Sequence, residues 1–334
     1  MYFIDTIKKS YSKKLNTYSS LQLEKEIDLI CAGEVLIDFI GHEVNTSINR
    51  TKDYHRFLGG SPTNVAVNAT RLGLKSVIVA TCGEDGLGEY IVRKLKDNHV
   101  ITSHVRKSET EPTSVIFVSK STGTPDFIPY READYQILPS QIPDELLENA
   151  KIFHTTCFAL SKNPARTTIV ESAKKAKALG LVTSIDINFS ERIWPDREEA
   201  KQVLREYLST NPLVKLSEDD CYRLFAASKT EDFIFDYFHE LGASTICLTK
   251  GKDGVVLSDK EHGMFHQQAT QIDDIKDTTG AGDAFWTGFL YARLLGKDFE
   301  DTITIAQKLA VLKLQNVGRL PEGINIKEYL ASSN

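Results

Sequence analysis

The sequence contains few cysteines, and they are widely spread. Of its 334 residues five are cysteines, and no two of them form a CxxC pair. An odd, scattered set argues against a disulfide framework and against a zinc site. Such usage is typical of a reducing compartment, so we expect a cytoplasmic protein. The five are Cys31, Cys82, Cys157, Cys221 and Cys247.

Long apolar runs are missing as well. No stretch approaches the roughly 18 apolar residues that a membrane helix needs, and Met1–Leu23 has no apolar segment long enough for a signal peptide. We therefore expect no membrane partner. An amphipathic targeting peptide stays open as an alternative, because the first twenty residues contain one acid, Asp5, and four lysines.

The chain also lacks a strong excess of charge. It has 40 basic and 46 acidic side chains, a formal net charge of −6, which argues against a nucleic-acid groove as its main surface. With 41% hydrophobic residues it can bury a full core. Since single domains rarely exceed about 250–300 residues, one large domain with an insertion and two equal domains both fit this length.

What the chain does contain is an alternation of strand and helix patterns. Ile152–Cys157 and Leu181–Ile187 are strand-like and enclose a helical stretch that stops at Gly180. Two further helices, opening near Ala281 and Thr302, close the chain. Repeated βαβ units indicate an α/β fold with a mainly parallel sheet and helices on both faces.

Two segments do not fit this alternation. Residues 39–56 and 112–130 are rich in β-branched and aromatic residues, and neither leads directly into a helix. We expect them to pair as a small antiparallel sheet that projects from the main domain. Two edge strands of the main sheet are the alternative.

The segment Asp277–Phe285 carries the clearest chemistry. Gly280 and Gly282 flank an alanine just before an apolar helical run, so the backbone can approach a ligand closely. The N–H groups and dipole of that helix favour an anion such as a phosphate. Asp283 in its first turn could accept a proton during phosphoryl transfer. The simpler alternative is a tight turn with Asp283 complementing the helix dipole.

Other phosphate motifs fit less well. The sequence has no GxxxxGK[ST] segment, which excludes a P-loop, and Phe285 stands where a dinucleotide-binding fingerprint needs its third glycine. Gly83–Gly88 has the wrong glycine order for that fingerprint. An NAD-dependent dehydrogenase is therefore only a weak alternative.

At this point the sequence resembles a known family. Asp277–Asp283 is similar to the C-terminal signature of the ribokinase-like (PfkB) sugar kinases, and Gly59–Asn64 to their N-terminal glycine signature. Further matching segments are Gly33–Asp38, Lys215–Asp220 and Thr249–Gly254. The resemblance covers about residues 27–321 and leaves 1–26 as an N-terminal extension without an assigned role. It implies one kinase domain, 27–334, with a small β lid.

The resemblance also implies roles for individual residues. Asp283 would be the catalytic base, and the N–H groups of Gly280, Ala281 and Gly282 would form the anion hole for the γ-phosphate of ATP. The sugar would contact Asp38, Gly59, Gly60 and Asn64. The nucleotide would lie along Lys215, Thr249, Gly251, Gly254 and Gln307.

The same resemblance implies which residues would bind metal ions. Asp277 and Thr279 match positions that bind a monovalent cation such as K⁺ in many members. Ser217 and Asp220 stand where many relatives carry Asn and Glu near Mg²⁺, so the shorter carboxylate of Asp220 would hold Mg²⁺ through water.

Tyr130–Asp134 is the best substrate clue. It resembles a segment of fructokinases and of ketodeoxygluconate kinases, although the gap between its two halves is shorter here. Arg131 could bind a sugar hydroxyl or a substrate carboxylate, or form an ion pair with Glu132 or Asp134. The sequence therefore predicts an ATP-dependent kinase acting on a primary hydroxyl of a keto-sugar, with fructose as first choice.

Alternatives to this prediction remain. The substrate could be 2-keto-3-deoxygluconate or 5-keto-2-deoxygluconate, and a non-catalytic sugar or nucleotide sensor is a more remote reading, which the intact Asp283 disfavours. Because the small β lid of this family is often used for dimer contact, the resemblance also implies a homodimer.

Overall fold

The computed structural model describes residues 25–120, 126–272, 274–316, 320–321 and 325–331. The predicted N-terminal extension, 1–26, lies outside these residues except for 25 and 26. Residues 121–125 of the second predicted lid segment also lie outside them.

Strands and helices alternate along most of the described chain. The strands are β1 (Ile27–Ala32), β2 (Leu36–Val44), β3 (Tyr54–Gly59), β4 (Ser76–Gly83), β5 (Val105–Ser108), β6 (Val115–Lys120), β7 (Phe127–Tyr130), β8 (Ala150–Thr156), β9 (Val182–Asp186), β10 (Leu213–Ser217), β11 (Thr245–Thr249), β12 (Val255–Asp259) and β13 (Gly263–Gln267). The helices are α1 (Ser61–Arg71), α2 (Gly86–Asp97), α3 (Asp144–Glu148), α4 (Ala165–Ala178), α5 (Arg197–Leu208), α6 (Glu218–Phe225), α7 (Glu231–Glu240), α8 (Ala281–Leu294), α9 (Phe299–Leu314) and α10 (Ile326–Ala331).

A nine-stranded sheet forms the centre of the molecule, in the order β13-β12-β11-β10-β9-β8-β1-β4-β5. Its strands pair in parallel from β5 to β11, and β12 and β13 add an antiparallel edge. The predicted mainly parallel sheet is therefore confirmed.

Helices cover both faces of this sheet, as predicted. Leu29 of β1 packs in a core with Trp286 of α8, whereas its neighbour Ile30 packs in a second core with Ile169 of α4. Because successive strand residues face opposite sides of a sheet, these two cores lie on opposite faces. Within the described residues no helix is long and apolar enough to cross a membrane.

The lid is a separate four-stranded sheet in the order β3-β2-β6-β7, so the edge-strand alternative is wrong. The expected antiparallel pairing is correct only within each segment, for β2 with β3 and for β6 with β7. The two central strands, β2 and β6, pair in parallel. The reason is that both strands run outward from the main sheet in the same direction and each returns through its own partner.

The position of Asp38 also differs from the prediction. The predicted lid segment, 39–56, left Asp38 outside the lid, but β1 ends at Ala32 and Asp38 is the third residue of β2 in the lid. Gly33 and Glu34 carry the chain between the two sheets. Asp38 therefore reaches the cleft from the lid.

Candidate active site

α8 begins at Ala281, as predicted, so its N-terminus lies where the sequence predicts an anion cradle. Gly280 is the N-cap of α8 with φ 75°, a left-handed conformation that glycine adopts without strain. The Ala281 N–H donates to the Thr278 carbonyl oxygen at 3.2 Å, so a bound anion would share or replace this bond. The first turn of the helix points its dipole at the same spot.

Asp283, at the end of the C-terminal signature, accepts hydrogen bonds from residues of the N-terminal glycine signature. Its Oδ1 accepts a hydrogen bond from Ser61 Oγ at 2.6 Å, and its Oδ2 accepts one from Asn64 Nδ2 at 2.8 Å. Ser61 and Asn64 lie in the first turn of α1. The structure thus brings together residues more than 200 positions apart, as expected from two signatures facing one cleft.

Gly59 and Gly60 let the end of β3 approach Asp38 of β2 and the β1–β2 connection closely. A Cβ on Gly59 would lie 2.3 Å from Asp38 Oδ2, and one on Gly60 would lie 2.2 Å from the Glu34 carbonyl oxygen. Gly60 also has φ 101°. A larger residue at either position would displace Asp38 or the β1–β2 connection.

Sequence reasoning assigned no role to Glu34, which is buried beside the site. Its Oε1 accepts from the Ser61 N–H at 3.1 Å, and its Oε2 accepts from Thr156 Oγ1 at 2.9 Å. Burial raises the pKa of Glu34 to about 8. Glu34 therefore fixes the start of α1, and with it Ser61. No signal in the sequence pointed to this role, because a glutamate just after a strand is ordinary on a surface.

Asp38 faces a cleft that is also lined by Phe57, Asn64, Gly280 and Lys313. Burial, together with the nearby charge of Asp283, raises the pKa of Asp38 to about 7. Asn64, which lines this cleft, donates to Asp283, so the carboxylates of Asp38 and Asp283 both lie near the cleft and could accept protons from hydroxyl groups.

The raised pKa of Asp38 makes the stability of the protein depend on pH. The folded pKa lies above the unfolded value of about 3.9, so the charged form destabilises the fold, and this cost grows as pH rises from about 4 to 7. We expect Asp38→Asn to raise the melting temperature at pH 8, by about 2–4 °C for each kcal/mol gained in the free energy of unfolding. At pH 4.5 the substitution should change the melting temperature little. Thermal melts at both pH values test this, and a lower melting temperature at pH 8 would contradict it.

Lys215 lies beneath the cradle on β10, the strand that pairs with β11, which ends at Thr249. Its Nζ donates to both carboxylate oxygens of Asp186, at 3.1 and 3.0 Å, and both side chains are buried. A Cβ on Gly282 would lie 2.9 Å from this Nζ. Burial alone would lower the pKa of Lys215, but the charges of Asp186 and Asp220 outweigh it and raise that pKa above its usual value.

Asp220 closes a capping box at the start of α6. Its Oδ2 accepts from the N–H of Ser217 at 2.8 Å and from Ser217 Oγ at 2.6 Å, while the Asp220 N–H donates back to Ser217 Oγ at 3.1 Å. Its other oxygen lies 3.8 Å from Arg223. The short side chain therefore keeps one oxygen engaged with the helix cap.

The other predicted nucleotide residues lie near one sheet edge. Thr249 ends β11, and Gly251 and Gly254 lie in the turn into β12. A Cβ on Gly254 would lie 2.1 Å from the carbonyl oxygen of Gln267. Gln307 of α9 reaches the same segment, because its Oε1 accepts from Gln267 Nε2 at 3.1 Å.

Arg131 is buried and engaged with protein groups. Its Nε and Nη2 donate to Asp134 Oδ2 at 2.8 and 2.6 Å, and its Nη1 donates to Ser161 Oγ at 2.5 Å. The guanidinium also lies 4.1 Å from the ring centroid of Phe158. Of the predicted alternatives, the structure shows the ion pair with Asp134.

Asp277, one of the two residues expected to bind a monovalent cation, contacts a lysine. Asp277 Oδ1 accepts from the Thr279 N–H at 3.0 Å, and Asp277 Oδ2 lies 3.1 Å from Lys313 Nζ. Lys313 carried no prediction, because a lysine near the end of a helix is an ordinary surface pattern in a sequence.

A parallel sheet covered on both faces, with a separate lid facing the N-terminus of one helix across a cleft, is the architecture of the ribokinase-like α/β kinases. A family model described as pfkB family carbohydrate kinase matches residues 26–321. The chain belongs to this family and is a sugar kinase, so both the predicted family and the predicted class of enzyme are confirmed.

Individual relatives agree with this assignment. The chain is 33% identical over 297 residues to an ATP-dependent 6-phosphofructokinase of Thermoanaerobacterium thermosaccharolyticum, covering 89% of this chain and 91% of that protein. Its structure is similar to that of a Halothermothrix orenii fructokinase, with TM-score 0.76, 34% identity, and 85% and 98% of the two chains covered. An uncharacterized sugar kinase of Pyrococcus horikoshii in complex with ATP superposes with TM-score 0.78, at 28% identity over 90% and 99% of the chains.

Proposed function

We propose that this protein transfers the γ-phosphate of ATP to a primary hydroxyl of a keto-sugar, with fructose as the first substrate. The observation that carries the proposal is the Asp283 carboxylate, which lies in the first turn of α8 and is held by Ser61 and Asn64. Asp38 lines the same cleft from the lid. A carboxylate able to accept a proton, a helix N-terminus that favours an anion and a second carboxylate thus lie near one cleft, which supports the proposal.

The transfer follows from this arrangement. The sugar hydroxyl oxygen forms a bond to the γ-phosphorus, the bond from that phosphorus to the bridging oxygen breaks, and ADP leaves. Asp283 takes the hydroxyl proton. The N–H groups of Gly280, Ala281 and Gly282, with the Lys215 ammonium beneath Gly282, stabilise negative charge on the transferred group. Asp38 and Asn64 orient the sugar.

The nucleotide is proposed to lie along Thr249, Gly251 and Gly254, with its adenine near Gln307. Two of these residues, Gly254 and Gln307, meet at Gln267, and Thr249 and Gly251 lie just before Gly254 in the chain, which supports the proposal. Arg131 is proposed to hold the sugar site in shape through its contacts with Asp134 and Ser161, rather than to bind the substrate through its own charge.

Mg²⁺ is proposed to accompany ATP. Carboxylate oxygens suit Mg²⁺, which keeps several waters, and the Asp220 oxygen not held by Ser217 fits binding through water. Within the described residues no group of three His, Cys, Asp or Glu side chains is placed to hold a metal ion, so phosphate oxygens would supply further ligands. Bound Mg²⁺ neutralises charge on the nucleotide phosphates.

Fructose 6-phosphate is a second candidate substrate. It is favoured by the relative named ATP-dependent 6-phosphofructokinase, which matches over 91% of its length. The rings of His42 and His55 lie 3.8 Å apart, and strand alternation puts them on the face of the lid that carries Asp38. Imidazoles at that position could contact a phosphate ester at the far end of the sugar.

A coupled assay for ADP release tests the substrate. The panel contains fructose, fructose 6-phosphate, 2-keto-3-deoxygluconate and 5-keto-2-deoxygluconate, with glucose as an aldose control. The proposal expects the highest kcat/KM for fructose. A higher value for fructose 6-phosphate would select the second candidate, and no turnover with any keto-sugar would contradict the proposal.

The lid supports a further proposal, a homodimer. The face opposite Asp38 carries a set of aromatic rings, with Phe39 and Tyr54 each 5.2 Å from Phe117 between ring centroids. On the same face Tyr130 is 59% exposed and Ile128 is 37% exposed. An exposed apolar patch of this kind favours contact with a second copy.

Light scattering coupled to size-exclusion chromatography tests the dimer. We expect a mass near twice 37.4 kDa for the wild type and a monomer for Ile128→Glu, because a charge would be buried at the contact. The control is Tyr222→Glu, which changes an exposed aromatic residue on α6 and should leave the dimer intact. A monomeric wild type at micromolar concentration would contradict the proposal.

A further inference from the structure

A buried lysine contacts Asp277, one of the two residues that the family resemblance assigns to a monovalent cation. Lys313 Nζ lies 3.1 Å from Asp277 Oδ2, 3.1 Å from the Asn316 carbonyl oxygen and 3.5 Å from the Asp277 carbonyl oxygen. The Lys313 side chain is 3% exposed. Three oxygen atoms therefore already surround a cation that belongs to the chain.

These residues do not fit an additional alkali ion. Carboxylate and carbonyl oxygens are the ligands that replace the hydration shell of such ions, and here the same oxygens receive the N–H bonds of an ammonium group. A second positive charge bound to Asp277 would lie close to Lys313 Nζ, and like charges repel strongly when they are shielded from water.

Lys313 also links the C-terminal end of α9 to the phosphate cradle. The backbone N–H groups of Lys276 and Asp277 donate to the Leu314 carbonyl oxygen at 2.9 and 3.4 Å. A Cβ on Gly280 would lie 3.7 Å from Lys313 Cε. The ammonium thus fixes the loop that leads into α8 and places a positive charge next to the cradle.

We propose that Lys313 acts as a tethered monovalent cation, which supplies permanently the charge and loop geometry that a bound K⁺ would otherwise provide. The enzyme is then independent of K⁺. Lys313 is a positioning residue, because it acts through Asp277 and the cradle. The kcat measurements in the test rest on the proposed phosphoryl transfer, whereas the melting temperatures do not.

The first arm uses the wild type. Its kcat with its best sugar and its melting temperature are measured in KCl and in choline chloride at equal ionic strength. We expect the melting temperature to be the same in both salts and the two kcat values to agree within about twofold. Loss of one interaction in the transition state would change kcat by about tenfold, which is a clearly larger effect. Activation of the wild type by K⁺ several-fold over choline would overturn the proposal, whether or not any variant folds.

The second arm uses Lys313→Met, which keeps an unbranched apolar stem and removes the charge. In choline we expect kcat to fall by about 10-fold to 10²-fold, as for a small displacement of a catalytic loop. KCl or NH₄Cl should restore much of this activity and raise the melting temperature of the variant, since a ligand that binds the folded state stabilises it. The control is Lys297→Met, which removes a lysine that is 45% exposed and should respond to neither salt.

Two results from this arm would also overturn the proposal. One is a folded Lys313→Met protein with wild-type kcat in choline. The other is a folded variant whose melting temperature responds to neither K⁺ nor ammonium. Because the melting temperature needs neither sugar nor turnover, failure of the proposed keto-sugar chemistry would leave this second criterion intact.

Discussion

Asp283→Asn should lower kcat by about 10²–10⁴-fold, the usual contribution of a positioned acid or base. Asparagine keeps the shape of the side chain and can still bond to Ser61 and Asn64, but it cannot accept the hydroxyl proton. The affinity for ATP should change little. ADP release measured under saturating sugar, with ATP binding followed by calorimetry, separates the two effects.

The matched control is Asp301→Asn, which changes an exposed aspartate in the first turn of α9. It should keep wild-type kcat. Wild-type turnover in Asp283→Asn would remove Asp283 from the role of base. Loss of ATP binding in that variant would instead show that the substitution disturbs the cradle.

Lys215→Met should lower the free energy of unfolding by about 3–5 kcal/mol at pH 8, because it leaves the Asp186 carboxylate buried without its partner. Burial raises the pKa of Asp186 to about 6 even with Lys215 present. In the variant this pKa should rise further, so the carboxyl is neutral at low pH. The loss of stability should therefore be smaller at pH 5 than at pH 8. Urea denaturation at both pH values measures it.

A surface ion pair provides the control for Lys215. Lys151 Nζ lies 2.7 Å from Asp28 Oδ1, with the two side chains 45% and 18% exposed. Lys151→Met should change the free energy of unfolding by no more than about 1 kcal/mol. The double variant Lys215→Met/Asp186→Asn should recover much of the lost stability. A Lys215→Met protein as stable as the wild type at pH 8 would contradict the argument.

Local patterns were sufficient to predict the main sheet and the start of α8. The glycine pair Gly280 and Gly282 before an apolar helix predicted the start of α8, and the strand-helix alternation predicted a parallel sheet with two covered faces. Each of these features depends on residues close together in the sequence. The contact of Asp283 with Asn64 followed because two family signatures had to face one cleft.

Features that depend on long-range packing were missed or misplaced. The parallel pairing of β2 with β6 depends on the direction in which both strands leave the main sheet, which neither segment encodes. Glu34 and Lys313 became informative only when burial and partners were known. A glutamate after a strand and a lysine near a helix end are ordinary on a surface.

The two-sided sheet has a consequence for synthesis of the chain. One face of β1 and β4 is covered by α8 and α9, through Trp286, Phe289 and Ile303. Residues of α1 such as Val65 belong to the same core, but α8 and α9 follow all thirteen described strands in the sequence. The part of the sheet face that they cover therefore stays open in the nascent chain until both helices have been made, and exposed apolar surface of this kind is prone to aggregation. Asp283 lies on α8, which couples the onset of activity to the closure of this core.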